Sequence, residues 1–199
     1  MSKPIETITE EEADKLIAYT FGTGYTAGNT SKARRNTLMI LLMLDAGLRV
    51  GELSRLEISD LVYENLPVKT LKVREEITKR HYARWIPLST RIADIIVTCL
   101  GELWFLPTSS PTAYAFYDSA SNTHLSTRQI ERIVGNLSKK SIGRKIHPHT
   151  LRHTFGTRLM RIANARVVQQ LLGHKNLQTT QLYMHPNNDD LTEAINKIQ

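Results

Sequence analysis

The stretch His147–His185 reads HPHTLRHTFGTRLMRIANARVVQQLLGHKNLQTTQLYMH. Pro148 is a suitable first residue of a helix, and His149 and Arg152 then lie three positions apart on one helix face. The guanidinium of Arg152 is a forked donor suited to phosphate oxygens, whereas Leu151 lies off that face and is expected to anchor the helix in the core. Such a pair, taken alone, is more often structural than catalytic.

The charge around this stretch is one-sided. Residues 128–175 hold eleven Lys and Arg and a single acid, Glu131, a net charge of +10, although the whole chain carries only +7. A basic patch on a chain of otherwise ordinary composition indicates a polyanionic partner such as nucleic acid. A solvated basic face explains the charge alone about equally well.

Histidines cluster in the same stretch, and His149 and His153 have the i, i+4 spacing of a helical metal pair. However, the stretch contains no Cys and no HExxH glutamate, and the chain has no acid between Glu131 and Asp189. Carboxylates and thiolates are the usual companions of His in metal sites, so we expect no metal site and no other cofactor.

Tyr183 lies near the end of the stretch, where a tyrosine is normally a packing residue. As a nucleophile it needs Arg and His donors beside it, because a free phenol ionises only at about pH 10. The chain shows no P-loop, Rossmann glycine pattern or Ser-His-Asp arrangement. The residues alone therefore indicate a basic, helical protein that binds nucleic acid and has candidates for a phosphoryl-transfer site.

The length of 199 residues suits one packed domain. The longest apolar run, Leu38–Leu44, is too short to span a bilayer, and the first residues lack a signal-peptide pattern. The single cysteine, Cys99, lies in an apolar pattern and is expected to be buried. These features predict a reducing, cytoplasmic location and no membrane partner.

The pattern along the chain predicts a mostly helical architecture with one small antiparallel sheet. Capping boxes at Thr9–Glu12 and Ser126–Gln129 predict helix starts, and Gly47 is a natural helix C-cap. Residues 66–88 predict a β-hairpin with a polar tip at 79–82, preceded by a strand near 61–63, and residues 104–123 read as loop. The remaining predicted helices cover 31–46, 49–56, 89–100, 149–162, 164–172, 176–183 and 188–197.

Four separated motifs resemble those of the tyrosine recombinase catalytic domain, the phage integrase and Xer-like family. They are AGLRVGEL at 46–53, HTLRH at 149–153, LLGH at 171–174 and TTQLY at 179–183. The resemblance covers about residues 9–185 and implies the mainly α fold of that family with a small antiparallel sheet (α+β). It divides the chain into an extension (1–8), a catalytic domain (9–185) and a tail helix (186–199).

The resemblance also implies a role for each matched residue. Arg49 and Arg152 would bind the non-bridging oxygens of a scissile DNA phosphate, with His174 adding a hydrogen bond. Tyr183 would attack the phosphorus and form a 3′-phosphotyrosyl link, assisted by His149. Lys79 on the hairpin, or else Lys72, would protonate the leaving 5′ oxygen. Glu52, one turn after Arg49, would orient that arginine.

Further implications concern partners. The helix from Ser126 would lie against a groove of double-stranded DNA, and the family assembles as a homo-oligomer, expected here as a tetramer. Many members carry a further N-terminal DNA-binding domain, so the chain is expected to be either a trimmed fragment or a short member. Its tail helix is expected to pack on a neighbouring protomer or on its own body. The alternatives to a site-specific recombinase are a type IB topoisomerase-like enzyme and a non-cleaving DNA-binding regulator. The expected DNA contacts are Arg128, Arg132, Lys139, Lys140, Arg144 and Lys145.

Overall fold

A computed structural model describes residues 5–23, 30–78, 82–104, 113–118, 121 and 123–173. Its helices are α1 Glu10–Ala18, α2 Thr30–Leu44, α3 Val50–Ser54, α4 Ile58–Leu61, α5 Thr90–Cys99, α6 Thr127–Ile142, α7 Pro148–Ile162 and α8 Ala165–Leu172. Its strands are β1 Val62–Tyr63, β2 Leu66–Pro67, β3 Thr70–Val73, β4 Arg84–Pro87, β5 Tyr117–Asp118 and β6 Thr123–His124. Short π-helical turns extend α1 (Tyr19–Thr23) and α5 (Leu100–Trp104). The predicted mainly α fold with small antiparallel β elements is confirmed.

Helix α2 is the centre of the core. Every residue from Asn36 to Leu44 is buried, so the second half of α2 is enclosed on all sides, and the helix packs against both α5 and α7. The turn after α2 contains Gly47, whose φ of +62° is the left-handed conformation that glycine adopts without steric cost. The N–H of Leu48 donates to the carbonyl of Leu42 (3.1 Å), which closes the helix as predicted.

Both predicted capping boxes are present. The Thr9 hydroxyl accepts from the N–H of Glu12 (3.1 Å), and the Glu12 carboxylate accepts from the N–H of Thr9 (3.0 Å). Ser126 and Gln129 make the same reciprocal pair at the start of α6. Helix α6 buries its predicted apolar side, including Ile130 and Val134, and ends at Gly143 with φ +77°. These caps satisfy backbone groups that would otherwise lack partners.

The β-hairpin is confirmed, although its first strand is shorter than predicted. Strands β3 and β4 pair antiparallel with Val73 opposite Arg84, and their side chains alternate between buried and exposed. Ile77 does not extend β3; it belongs to a 3₁₀ turn, Glu75–Ile77, that follows the strand. The predicted earlier strand exists as β1, but it pairs with β2 rather than with the hairpin. The described residues therefore contain three separate strand pairs instead of one sheet.

The prediction of loop for residues 104–123 is wrong in part. Phe116 and Ala115 are buried, and β5 pairs antiparallel with β6. The indole N–H of Trp104 donates to the Ala115 carbonyl (3.1 Å), and the Leu125 N–H donates to the Phe116 carbonyl (2.7 Å). Apolar residues without a regular spacing give no strand signal, so only long-range contacts reveal this packing.

The C-terminal helices follow the predicted boundaries closely. Pro148 is the first residue of α7, and the Asn164 side chain caps α8 by accepting from the N–H groups of Arg166 and Val167 (both 3.1 Å). Leu151 is fully buried, as expected. The helices predicted at 176–183 and 188–197 lie outside the described residues.

The structure also shows the burial of Cys99 and the length and polarity of the helices. Cys99 is fully buried, which raises the pKa of its thiol to about 12 and keeps it protonated. Within the described ranges, each helix is too short or too polar to cross a lipid bilayer.

Candidate active site

A cleft of 820 Å³ lies where α3, the 3₁₀ turn of the hairpin, and the first turns of α6 and α7 meet. The cleft brings together three of the six predicted catalytic residues: Arg49, His149 and Arg152. Glu52 and Arg55 of α3, Glu76 and Thr78 after β3, and Thr127 and Glu131 of α6 also line it.

Arg49 is the N-cap residue of α3, and its guanidinium is held from two sides. Its Nη1 donates to Oε1 of Glu52 (2.8 Å), and its Nη2 donates to the carbonyl of Gly173 (3.3 Å). One third of the side chain remains exposed, on the cleft. The arginine is thus oriented while part of its donor surface stays open to a ligand, as a phosphate-binding arginine requires.

Arg152 is almost fully buried, with 2% of its surface exposed. Its Nη2 donates to the carbonyl of Leu172 (2.6 Å), and its Nη1 donates to the carbonyl of Gly47. A side chain at Gly47 would collide with this region, because a Cβ there lies 2.4 Å from Cδ1 of Phe155. Glycine at position 47 therefore lets the backbone pass close to the Phe155 ring while its carbonyl accepts from Arg152.

His149 and His153 stack edge to face, with 4.1 Å between their ring centroids. Partial burial lowers the pKa of His149, and the charges of Arg152 and Arg49 lower it further. Burial, together with His149 and Arg152, lowers the pKa of His153 to about 4. Both rings are therefore neutral at pH 7, which allows His149 to accept a proton from a reacting group in the cleft.

Glu52 binds two arginines at the site, Arg49 and Arg84. Its carboxylate accepts four hydrogen bonds, from the backbone N–H and Nη1 of Arg49 (both 2.8 Å) and from Nη1 and Nη2 of Arg84 (2.8 and 2.7 Å). Burial alone would raise the pKa of Glu52, but the hydrogen bonds and charges of Arg84 and Arg49 lower it to about 2. The orienting role expected for Glu52 agrees with this geometry.

Sequence reasoning missed Arg84. Its side chain is 2% exposed and forms a bidentate ion pair with the equally buried Glu52. The available signal was the alternation of β4, since Arg84 shares the inward face with Ile86, while Trp85 and Pro87 face outward. A charge at an inward strand position requires a buried partner of opposite charge.

The end of α8 is bound by three arginines from three different elements. Its last carbonyls, those of Leu171, Leu172 and Gly173, accept hydrogen bonds from Arg84 (3.0 Å), Arg152 (2.6 Å) and Arg49 (3.3 Å), respectively. We call these three side chains the arginine cap. Helix C-termini carry unpaired carbonyls and a partial negative charge, so three cations at this end are stabilising.

The other predicted catalytic residues, Lys79, His174 and Tyr183, lie outside the described residues. Lys72 is exposed on the outer face of the hairpin, where its Nζ lies 5.5 Å from the ring centroid of Trp85 on the neighbouring strand. This face is opposite to the one that carries Arg84.

The predicted DNA-contacting residues divide into two groups. Arg144 is engaged within the protein, since its guanidinium bonds to the carboxylates of Glu12 (2.9 Å) and Glu6 (2.7 Å) and to the Thr7 carbonyl (3.1 Å). Its charge is therefore matched internally, which favours a structural role. The others are exposed on α6 and the segment after it: Arg128, Arg132, Lys139, Lys140 and Lys145.

Comparison with known proteins gives the chain a family. The profile of the phage integrase family matches residues 6–190. A tyrosine recombinase of Pseudothermotoga lettingae is 38% identical over 172 residues, which cover 84% of this chain and 55% of that protein. The chain thus spans about half the length of this relative.

Solved structures agree with this assignment. The crystal structure of XerA recombinase superposes with a TM-score of 0.74 at 29% identity, covering 97% of this chain and 65% of that one. XerH site-specific recombinase bound to its difH substrate shares the fold with a TM-score of 0.72 at 21% identity, covering 100% of this chain and 56% of that one. The chain therefore belongs to the phage integrase family of tyrosine recombinases and has the fold of their catalytic domain.

Proposed function

We propose that the chain is the catalytic part of a site-specific DNA recombinase or integrase, which cuts and rejoins DNA strands through a 3′-phosphotyrosyl intermediate. The observation that carries the proposal is the convergence of Arg49, His149 and Arg152 on one cleft, although 103 residues separate the two arginines in the chain. Two arginines oriented by buried contacts provide forked donors for the non-bridging oxygens of a phosphodiester.

The proposed reaction is nucleophilic phosphoryl transfer. The phenolate oxygen of Tyr183 attacks the phosphorus, and the bond to the 5′ oxygen breaks, leaving a 3′-phosphotyrosyl link and a free 5′-hydroxyl. Lys79 supplies the proton to the leaving oxygen, and neutral His149 accepts the proton of the tyrosine. Arg49, Arg152 and His174 stabilise the charge that builds on the phosphate. The covalent link conserves the energy of the phosphodiester, so rejoining needs neither ATP nor a metal.

Double-stranded DNA is the proposed substrate, and the exposed bases of α6 are its proposed backbone contacts. Arg128 and Arg132 lie one helical turn apart, beside the cleft residues Thr127 and Glu131. Contacts of this kind position DNA without reading its sequence. The complex of the structurally similar XerH site-specific recombinase with its difH substrate supports this partner.

The proposed domain boundaries are an extension at 1–8, a catalytic domain at 9–185 and a tail helix at 186–199. We further propose that the active form on DNA is a tetramer, in which the tail packs on a neighbouring protomer. Recombination joins four strand ends, which requires several active sites in one assembly. The names of the similar proteins, all recombinases or integrases, support this function over DNA relaxation or regulation without cleavage.

The test is a covalent-trapping experiment. Duplexes that bind the protein are selected from a randomised pool, and a nick is then placed near the mapped contact so that the cleaved strand is lost and the adduct accumulates. We expect a protein–DNA adduct on a denaturing gel with the wild-type chain and none with Tyr183→Phe. Absence of an adduct on every selected duplex, or an adduct that persists in Tyr183→Phe, would refute the proposed mechanism.

A further inference from the structure

Arg84 is placed to hold α3, which lines the cleft, in register with the end of α8, and it does not line the cleft itself. It lies at the start of β4, is 3% exposed, and uses all three guanidinium nitrogens. Nη1 and Nη2 donate to the two oxygens of Glu52 (2.8 and 2.7 Å), and Nε donates to the carbonyl of Leu171 (3.0 Å). One planar group therefore joins β4, α3 and α8.

The two partners of Arg84, Glu52 and Leu171, are each connected to a different residue that is proposed to bind the phosphate. On one side, Glu52 also binds the backbone and the side chain of Arg49, so the position of its carboxylate sets the position of that arginine. On the other side, Leu171 is three residues before His174 in the LLGH motif. A shift of Arg84 would therefore move the support of Arg49 and the end of α8 together.

The end of α8 is closely fitted around this side chain. Gly173 has a φ of +62°, and a Cβ built on it would lie 3.0 Å from Cδ and 3.4 Å from Nη1 of Arg84. The glycine of the motif thus serves both the left-handed turn and the close approach of the arginine. A lysine at position 84 keeps the charge but lacks the fork that bonds Glu52 and Leu171 at the same time.

We propose that Arg84 is a positioning residue for strand cleavage, which sets Arg49 through Glu52 and holds the end of α8 through the Leu171 carbonyl. This inference rests on the proposed function. It assigns Arg84 an effect on the rate of the chemical step and none on DNA binding, because its buried side chain does not reach a DNA surface.

Arg84→Lys is the first test, with Arg74→Lys as the matched control. Arg74 directly follows Val73, the residue opposite Arg84 in the hairpin, and binds two carboxylates, Glu57 (2.9 Å) and Asp60 (2.8 Å), but these belong to the start of α4 and do not line the cleft. Both substitutions therefore disturb an arginine–carboxylate anchor of the hairpin. Only the first disturbs Glu52 and the end of α8.

Two measurements on the nicked duplex separate positioning from folding. The first is the single-turnover rate constant of adduct formation at saturating DNA, with its final extent. The second is the Kd for intact DNA, measured in a Tyr183→Phe background. A partly unfolded variant loses extent at an unchanged rate constant, whereas a misplaced site loses rate constant at an unchanged Kd.

We expect Arg84→Lys to lower the rate constant by roughly 100-fold, the effect of a displacement of about 1 Å in a reacting site. The Kd should stay within about threefold, and both quantities should stay within about threefold in Arg74→Lys. If Arg84→Lys does not fold, Glu52→Asp decides in its place, because it retracts the carboxylate by one methylene while keeping its charge, and it should lower the rate constant likewise.

A rate constant within threefold of wild type in the folded variant, or a loss of DNA affinity as large as the loss of rate, overturns the inference about Arg84. The wild-type chain run in parallel tests the proposed function separately. If it forms no adduct, strand cleavage itself is refuted, whereas normal wild-type cleavage with an equally active Arg84→Lys refutes only the positioning role.

Discussion

Glu52→Gln should lower the free energy of unfolding by about 3–4 kcal/mol at pH 7, and this loss should shrink as the pH falls. The substitution keeps the shape of the side chain and removes its charge. Arg84, which is 3% exposed, then remains buried without its counterion, and Arg49 loses the same partner.

Two independent routes give this magnitude. The pKa of Glu52 falls from its ordinary 4.5 to about 2 in the folded chain, and a difference of about 2.5 units corresponds to about 3.4 kcal/mol. The side chain is only 2% exposed, so solvent screening does not reduce this figure much. Removing one partner of a buried ion pair typically costs about 3–5 kcal/mol, which agrees.

The dependence on pH has a definite sign. Because the folded chain holds Glu52 ionised more strongly than the unfolded chain does, the stabilisation is complete above the unfolded pKa of 4.5 and is lost as the pH falls through about 2. Linkage gives a difference of about 2.6 kcal/mol at pH 4 and about 1.4 kcal/mol at pH 3 between wild type and Glu52→Gln. A protonated glutamate resembles glutamine, so the two curves converge.

The assay is urea unfolding followed by circular dichroism at pH 7, 5, 4 and 3, with Glu75→Gln as the control. Glu75 is exposed in the 3₁₀ turn after β3, and its substitution should change stability by less than about 0.5 kcal/mol. A difference below about 1 kcal/mol at pH 7 for Glu52→Gln, or one that stays constant down to pH 3, would refute the role of a buried, ionised Glu52.

Three further predictions follow from the geometry. Gly47→Ala should lower the free energy of unfolding by about 2 kcal/mol or more, because the φ of residue 47 is +62° and a Cβ there would overlap the Phe155 ring. Gly101 has open space around it, so Gly101→Ala should change the free energy of unfolding by less than about 0.5 kcal/mol in the same assay. The free energy of unfolding of the wild-type chain should fall as the pH drops from 6.5 towards about 4, because the unfolded chain binds the proton of His153 more tightly than the folded chain does. His153→Asn should reduce that fall by roughly 1–2 kcal/mol. The same pH dependence of stability in the variant and in the wild type would contradict the lowered pKa of His153. Arg132→Ala should reduce the slope of log Kd against log salt by roughly 0.9 if it contacts one phosphate, whereas Arg144→Ala should leave the slope unchanged and lower the melting temperature.

Local signals in the sequence predicted most of the helical fold. The caps at Thr9 and Ser126 and the glycine at Gly47 act within a few residues, so their effect is visible in a short window. The motifs around Arg49 and Arg152 were equally local, and the structure brings them together in one cleft.

The features that were missed depend on contacts between distant residues. The alternation of β4 marks Arg84 as facing inward, but its partner lies 32 residues earlier in the chain, and nothing near Glu52 identifies it as that partner. The burial of Phe116 and the pairing of β5 with β6 likewise come from tertiary packing, in a segment whose composition is typical of loops. Register and strand length in the hairpin also depend on contacts between distant residues. Strand β3 ends at Val73, because the side chain of Arg74 bonds to the carboxylates of Glu57 and Asp60 at the start of α4.

The arginine cap can form only late in the synthesis of the chain. Its contacts from Arg49 and Arg84 to the end of α8 span 124 and 87 residues, so they form only after residue 173 has emerged and docked. The exposed bases of α6 precede that point in the chain, and chains emerge from the ribosome N-terminus first. In a nascent chain, the basic residues of α6 are therefore synthesised before the three arginines of the cap can be aligned.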